Sequence, residues 1–178
     1  YLPLAEETGV LIELGTRMLR DSLSQLAQWR AVGHPFANCF LSVNVGTRQL
    51  VDPNFAEIVV DALAQTGIDA NSLWLEITET ALLSDVKSAT VALRELRSLG
   101  LHLSVDDFGT GYSSLSYLRR FPLDGLKIDR SFVRRVGLRR GDTELVRTII
   151  ALAQNLNMSV IAEGVETAAQ RDRLLELG

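Results

Sequence analysis

Five short apolar runs recur at intervals of about 30 residues, and most are followed by a segment whose apolar residues fall at helical spacing. The runs are CFLSVNV at 39–45, LWLEIT at 73–78, LHLSVD at 101–106, GLKID at 125–129 and MSVIAE at 158–163. After the first comes FAEIVVDALAQTG, a helix expected to stop at Gly67. The others precede a helix over about 86–99 ended by Gly100, a short helix over about 113–120, a helix from Asp142 to about Asn157, and one beginning near Thr167. Ahead of them all, Val10, Leu11, Leu14, Met18, Leu26 and Trp29 mark an amphipathic helix. Strands separated by helices pair in parallel, so the chain predicts an α/β fold on one parallel sheet.

Such a sheet is either open or closed, and the polar residues choose between the two. Strands covered on both faces should be apolar throughout. Yet each run carries a polar group at its C-terminal end: Asn44, Glu76, Asp106, Lys127 with Asp129, and Glu163. An open doubly wound sheet gathers ligand groups at its switch point, from only some strands, whereas a closed barrel brings every strand end to one rim. The pattern therefore predicts a TIM-like (β/α)₈ barrel. A barrel of that kind uses about 31 residues per unit, so this chain holds about five of the eight βα units. Tyr1 starts within an element and Gly178 falls where a last strand would begin, so truncation at both ends is expected. No linker or low-complexity stretch interrupts the series, and residues 1–178 are expected to form part of one domain.

Charge and composition exclude several classes. A formal net charge of −4 and a pI near 5.2 argue against a DNA-, RNA- or membrane-surface-binding protein, since those rely on an excess of lysine and arginine. No stretch reaches the ~20 apolar residues of a membrane helix, and YLPLAEETG lacks the features of a signal peptide. The single cysteine, Cys39, is expected to be a small buried hydrophobe, and with no partner thiol in the chain it points to a reducing compartment. A cytoplasmic location follows as an expectation, with membrane tethering of a longer parent chain left open.

Asn44, Glu76, Asp106 and Asp107 form an all-oxygen donor set suited to Mg²⁺, Mn²⁺ or Ca²⁺. Zinc is disfavoured by supply, because His34 and His102 are the only histidines and each is expected to be an ordinary surface or packing residue. Neighbouring strand residues point to opposite faces, so Asp106 and Asp107 serve one site only if the strand ends there and the backbone turns, as Gly109 and Gly111 permit. A carboxylate bridging two ions ~3.5–4 Å apart would suit phosphodiester hydrolysis, with Lys127 orienting water or stabilising negative charge and Glu163 accepting a proton. Structural alternatives stand beside these roles. Glu76 would then cap a helix or pair with an arginine, Lys127 would pair with Asp129, and the two aspartates would accept backbone N–H groups in a turn. Glu79 and Glu166 are better suited to fixing loops than to binding metal. GTGYSS matches neither nucleotide-binding glycine pattern, and DFG lacks the other kinase motifs.

Taken together, LAEETGVL, SVNV, LEITET, SVDDFGTGYSSLSYLRRFPLDGLKIDRSFV and VIAEGVET resemble the EAL-domain family of bacterial cyclic di-GMP phosphodiesterases over essentially the whole chain. The resemblance implies an EAL-type barrel that hydrolyses cyclic di-GMP to linear pGpG with Mg²⁺ or Mn²⁺, two ions being expected. It implies Asn44, Glu76, Asp106 and Asp107 as metal ligands, Lys127 as holder of the attacking water, Glu163 as base or as partner of a bound water, and Asp129 in support. It gives Glu79 the anchoring of the loop after Asp107, a segment that in the family contributes to a homodimer, and it implies sensory or diguanylate cyclase domains in the parent. The family's namesake glutamate and a nearby arginine would lie upstream of Tyr1, and a glutamine beyond Gly178. The chain alone is accordingly expected to be inactive. Gly46 stands where the family usually has serine. A non-catalytic cyclic di-GMP receptor of the same fold is the alternative, and an unrelated single-metal barrel lyase a more distant one.

Overall fold

The computed structural model describes residues 10–109 and 118–178. Five parallel strands form one sheet in sequence order: β1 (Leu41–Val45), β2 (Leu73–Thr78), β3 (His102–Phe108), β4 (Gly125–Ile128) and β5 (Ser159–Ala162). Among the described residues no strand pairs with the outer edge of β1 or β5. The connections carry α1 (Val10–Ala31) before β1, then α2 (Thr47–Leu50), α3 (Phe55–Thr66), α4 (Glu79–Ser84), α5 (Val86–Ser98), α6 (Arg130–Val133), α7 (Arg140–Asn155) and α8 (Ala168–Leu177). This is the α/β arrangement of a partial barrel. Residues 113–117 of the short helix expected over about 113–120 lie outside the described residues.

Alternation along the strands separates two faces. Val43, Leu75, Ile77, Leu103, Val105 and Ile128 are buried, sharing the hydrophobic core with the helices. Their neighbours Asn44, Glu76, Asp106 and Lys127 take the other face, which is the one a closing barrel turns inward. Below them on that face, the ring of Trp74 stacks on His102 with centroids 4.7 Å apart. Gly125 makes room for this pair: a Cβ built there would stand 2.9 Å from Trp74 Cζ3 and 3.1 Å from Ser159 Oγ. An apolar outer face and a polar and aromatic inner face explain why the runs are not apolar throughout.

Two expectations about packing are corrected. Of the expected stripe of α1, Leu26 is buried and Trp29 packs partly buried against the core, but Val10, Leu14 and Met18 are about half exposed, and the buried stripe is instead Leu19, Leu23 and Leu26. The two sets occupy different faces of the helix, and only Leu19, Leu23 and Leu26 belong to the buried core. Cys39 is exposed, with Sγ 2.7 Å from the Phe36 carbonyl oxygen. It precedes β1 by two residues, in the connection that leads to the strand, so the apolar run overstates the buried segment. Helix ends follow local chemistry: Gly67 adopts a left-handed C-cap with φ +66, and the Thr167 hydroxyl and Gln170 side chain form a capping box on α8.

Candidate active site

Each of the last four strands delivers a charged group to the same rim. Glu76 lies on β2, Asp106 and Asp107 on β3, Lys127 on β4, and Glu163 directly after β5. The Lys127 ammonium is the centre of the group: Nζ lies 2.6 Å from Glu76 Oε2, 2.6 Å from Glu163 Oε1 and 3.2 Å from Asp106 Oδ1. Burial disfavours its charge, but hydrogen bonds to Glu163, Glu76 and Asp106 outweigh that cost and hold its pKa well above the usual lysine value. The repulsion among adjacent carboxylates is thus offset, within the chain itself, by a lysine from the neighbouring strand. Of the structural alternatives, the ion pairs of Lys127 run to these three acids, and Glu76 pairs with lysine instead of arginine.

Asp107 reaches the site through a backbone irregularity. Val105 pairs with Leu126 and Phe108 with Ile128, so three steps on β3 oppose two on β4. This is a β-bulge. Asp107 itself takes φ +52, an uncommon conformation that aspartate tolerates better than most residues, and Gly109 follows at φ +95. The expected turn is therefore made first by Asp107, ahead of the glycines. One ligand oxygen from each of Asp106, Asp107 and Glu163 comes within 4.8 Å of the others. Burial, then the charges of Asp106, Asp129 and Glu163, raise the Asp107 pKa above the ordinary aspartate value. The Asp106 carboxylate also accepts the Asp107 N–H at 3.0 Å, so it combines the structural role with its place in the cluster.

The remaining candidates surround this group. Asn44 is exposed at the top of β1, in register with Glu76. Asp129 caps α6 by accepting the Ser131 N–H at 2.9 Å, and its pKa is held below the usual value chiefly by the Ser131 side chain, with that backbone N–H adding to the effect. Glu79 is buried and accepts the Gly109 N–H at 3.0 Å, tying the end of β3 to α4. Glu166 is exposed and lies 3.5 Å from Arg134 Nη2. His102 stacks on Trp74, and His34 stacks on Trp29 with centroids 5.2 Å apart. Sequence reasoning missed the cap that sets Glu79: Thr78 accepts the Ala81 N–H at the start of α4. A threonine three residues ahead of that donor was the available signal. It also missed Gly164, whose φ of +68 lets the chain turn directly after Glu163 and where a Cβ would stand only 2.7 Å from Arg130 Cβ.

Donor chemistry and spacing fit a hard divalent cation. Asp106, Asp107 and Glu163 offer oxygen only, with Glu76 and Asn44 beside them on the sheet.

Comparison with known proteins gives a consistent result. The family model described as EAL domain matches residues 1–178. The chain is 44% identical over 174 residues to the cyclic di-GMP phosphodiesterase NbdA of Pseudomonas aeruginosa, covering 96% of this chain and 22% of that protein. It is 39% identical over 178 residues to the bifunctional diguanylate cyclase/cyclic di-GMP phosphodiesterase MucR of the same organism, covering 100% of this chain and 26% of that protein. The solved MucR phosphodiesterase in complex with c-di-GMP superposes with a TM-score of 0.92 at 39% identity, covering 100% of this chain and 71% of that one. The chain thus spans about a quarter of the length of these curated relatives.

Proposed function

This chain belongs to the EAL domain family, and from that premise we propose that it forms part of a metal-dependent phosphodiesterase domain that hydrolyses cyclic di-GMP to linear pGpG. The observation that carries the reading is the convergence of Glu76, Asp106 and Glu163 on Lys127 Nζ, with Asp107 turned into the same rim by the bulge. Asp106, Asp107, Glu163, Glu76 and Asn44 would hold Mg²⁺ or Mn²⁺, as one ion or as a pair. Such an ion supplies charge neutralisation for the phosphodiester and acidifies a nearby water.

The chain's own groups supply the rest of the chemistry. Lys127, kept fully protonated by its three acids, donates to the water or to the developing negative charge. Glu163 is a third exposed and is positioned to accept the proton of the attacking water. Glu79 holds Gly109, and so fixes where Asp106 and Asp107 stand. Asp129 keeps α6 capped above Lys127. The reading also carries a cytoplasmic site of action, homodimerisation through the segment after Asp107, and regulatory or diguanylate cyclase domains in a longer chain.

The test is conversion of cyclic di-GMP to pGpG by the full-length protein with Mg²⁺ or Mn²⁺, against the same protein in excess chelator. Turnover abolished by chelator supports the proposal. Tight binding without turnover under any metal would assign the chain to the receptor alternative, and neither binding nor turnover would refute the reading.

A further inference from the structure

The segment RSFVRRVGLRRG, residues 130–141, carries five arginines and no acid in a chain whose formal net charge is −4. It begins immediately after Asp129 on the β4 end of the site, and α7 leads from it back to the start of β5, so it lies on the rim that presents Lys127 and Glu163. Arg130 packs under Gly164, next to Glu163, and Arg134 reaches Glu166, so the segment flanks the Glu163 side. Arg135, Arg139 and Arg140 are exposed, and among the described residues no carboxylate pairs with them.

This loop is built, not slack. Val136 is buried in the core, the Gly137 N–H donates to the Thr143 hydroxyl at 3.0 Å, and the Thr143 N–H and hydroxyl donate to the Arg139 carbonyl. Gly137 takes φ +82, which brings Leu138 and then Arg139 out to the surface. Arg139 and Arg140 fall at the N-cap and first position of α7, where the helix dipole disfavours positive charge, and Arg139 makes no side-chain cap bond. Asp142 in the same first turn suits the dipole, but it forms no ion pair with Arg139 or Arg140 among the described residues, so both guanidinium groups stand free at the surface.

The neighbouring site supplies the reason. Its formal charge is dominated by Glu76, Asp106, Asp107, Asp129 and Glu163 against Lys127, and a phosphodiester dianion approaching it is repelled until the cations are bound. We infer that Arg135, Arg139 and Arg140 form an anion-collecting rim that steers the doubly charged cyclic dinucleotide toward the acidic site, raising its encounter rate. The inference rests on the phosphodiesterase reading above and adds to it a determinant of capture outside the reacting groups. Steering of this kind is set by charge and is screened by salt.

The experiment compares full-length wild type, R135Q/R139Q/R140Q and R135K/R139K/R140K in steady-state hydrolysis of cyclic di-GMP from low to physiological ionic strength. The expected result is that the glutamine variant loses about fivefold to tenfold in kcat/KM at ~0.01 M salt, through KM with kcat within about twofold, and that the gap closes by ~0.15 M as the Debye length shrinks from about 30 Å to about 8 Å. The lysine variant should keep the wild-type salt dependence. The glutamine variant should melt no lower than wild type, since it removes charge from a helix N-terminus. Equal kcat/KM in all three proteins, a gap indifferent to salt, or a lysine variant as impaired as the glutamine one would overturn the inference. So would co-sedimentation of wild type but not the glutamine variant with anionic phospholipid vesicles while kcat/KM stays equal, which would reassign the patch to a membrane surface. Wild type that neither binds nor hydrolyses cyclic di-GMP would instead defeat the underlying reading, and this inference with it.

Discussion

Replacing Lys127 by methionine keeps most of the length of the side chain and removes the cation that, among the described residues, contacts Glu76, Asp106 and Glu163. Three carboxylates are then left facing one another, with Asp107 beside them. Oxygens of Asp106, Asp107 and Glu163 come within 4.8 Å of each other, and two unit charges at that distance repel by about 3.5 kcal/mol at an effective dielectric of 20. Two effects reduce the total. The Glu163 carboxylate is 33% exposed, so water screens its share, and one of the acids relieves the rest by taking up a proton. The expected loss of folding stability at neutral pH is about 2–4 kcal/mol, toward the lower end of what breaking a buried ion pair costs. Its pH dependence identifies the cause. In the variant a site carboxyl has its folded-state pKa raised above its unfolded value, so the folded protein holds a proton that the unfolded chain has released, and stability falls as pH rises from about 4. In wild type the Lys127 pKa is raised, so its contribution is fully present below 10.5 and is lost only as pH climbs through the higher folded value. The gap between the proteins should widen from pH 5 to pH 8. Mg²⁺ or Mn²⁺ should also raise the melting temperature of the variant more than that of wild type, because the ion meets carboxylates with no lysine to displace. Urea denaturation of the full-length protein across this pH range measures the first two, and thermal melts with and without metal measure the third. A loss below about 1 kcal/mol, the same at every pH and with no added benefit from metal, would show that the lysine does not organise these acids.

Asp106→Asn keeps the side-chain size and removes one charge, and is expected to lower turnover of cyclic di-GMP by more than about 100-fold, measured as pGpG formation at saturating substrate. Gly125→Ala places a Cβ 2.9 Å from Trp74, and should destabilise the fold by about 1–3 kcal/mol while shifting tryptophan fluorescence. Asp85 caps α5 by accepting the Lys87 and Ser88 N–H groups, and its pKa is lowered chiefly by hydrogen bonds from Ser88. The stability advantage of wild type over Asp85→Ala should therefore be present above pH 3.8 and disappear as pH falls through the lower folded value, in thermal melts run from pH 6 to pH 2.

The sheet was legible because its signals are local. Each run of apolar residues lies within two residues of its strand, and Gly67 and Thr167 mark helix ends through chemistry that acts over one turn. The face of α1 was not legible in the same way. Val10, Leu14 and Met18 form as good a helical stripe as Leu19, Leu23 and Leu26, and periodicity carries no information about which stripe meets α3. Cys39 failed for a related reason: an apolar run shows where a strand can lie, while the hydrogen-bonded ladder decides where it starts, here at Leu41.

The site itself divides along the same line. Glu76, Asp106, Lys127 and Glu163 could be placed on one rim from strand counting alone, because a parallel sheet brings equivalent ends together whatever the side chains do. Their mutual contacts could not be so placed, and a pairing of Lys127 with Asp129, two residues away, looked equally reasonable. The structure separates these two for a simple reason. Asp129 has left the strand to cap α6, and its carboxylate is engaged by the Ser131 N–H, while Lys127 remains on the inner face opposite strands that each present an acid. Asp107 is the harder case. Strand alternation directs it away from Asp106, and only the one-residue bulge against β4, together with the left-handed backbone at Asp107, returns it to the site. A paired Asp-Asp two residues ahead of a Gly is therefore legible as a site only through its strain: a regular strand would point the second carboxylate away from the first, and the chain accepts an unfavourable backbone angle at a non-glycine residue to bring them together.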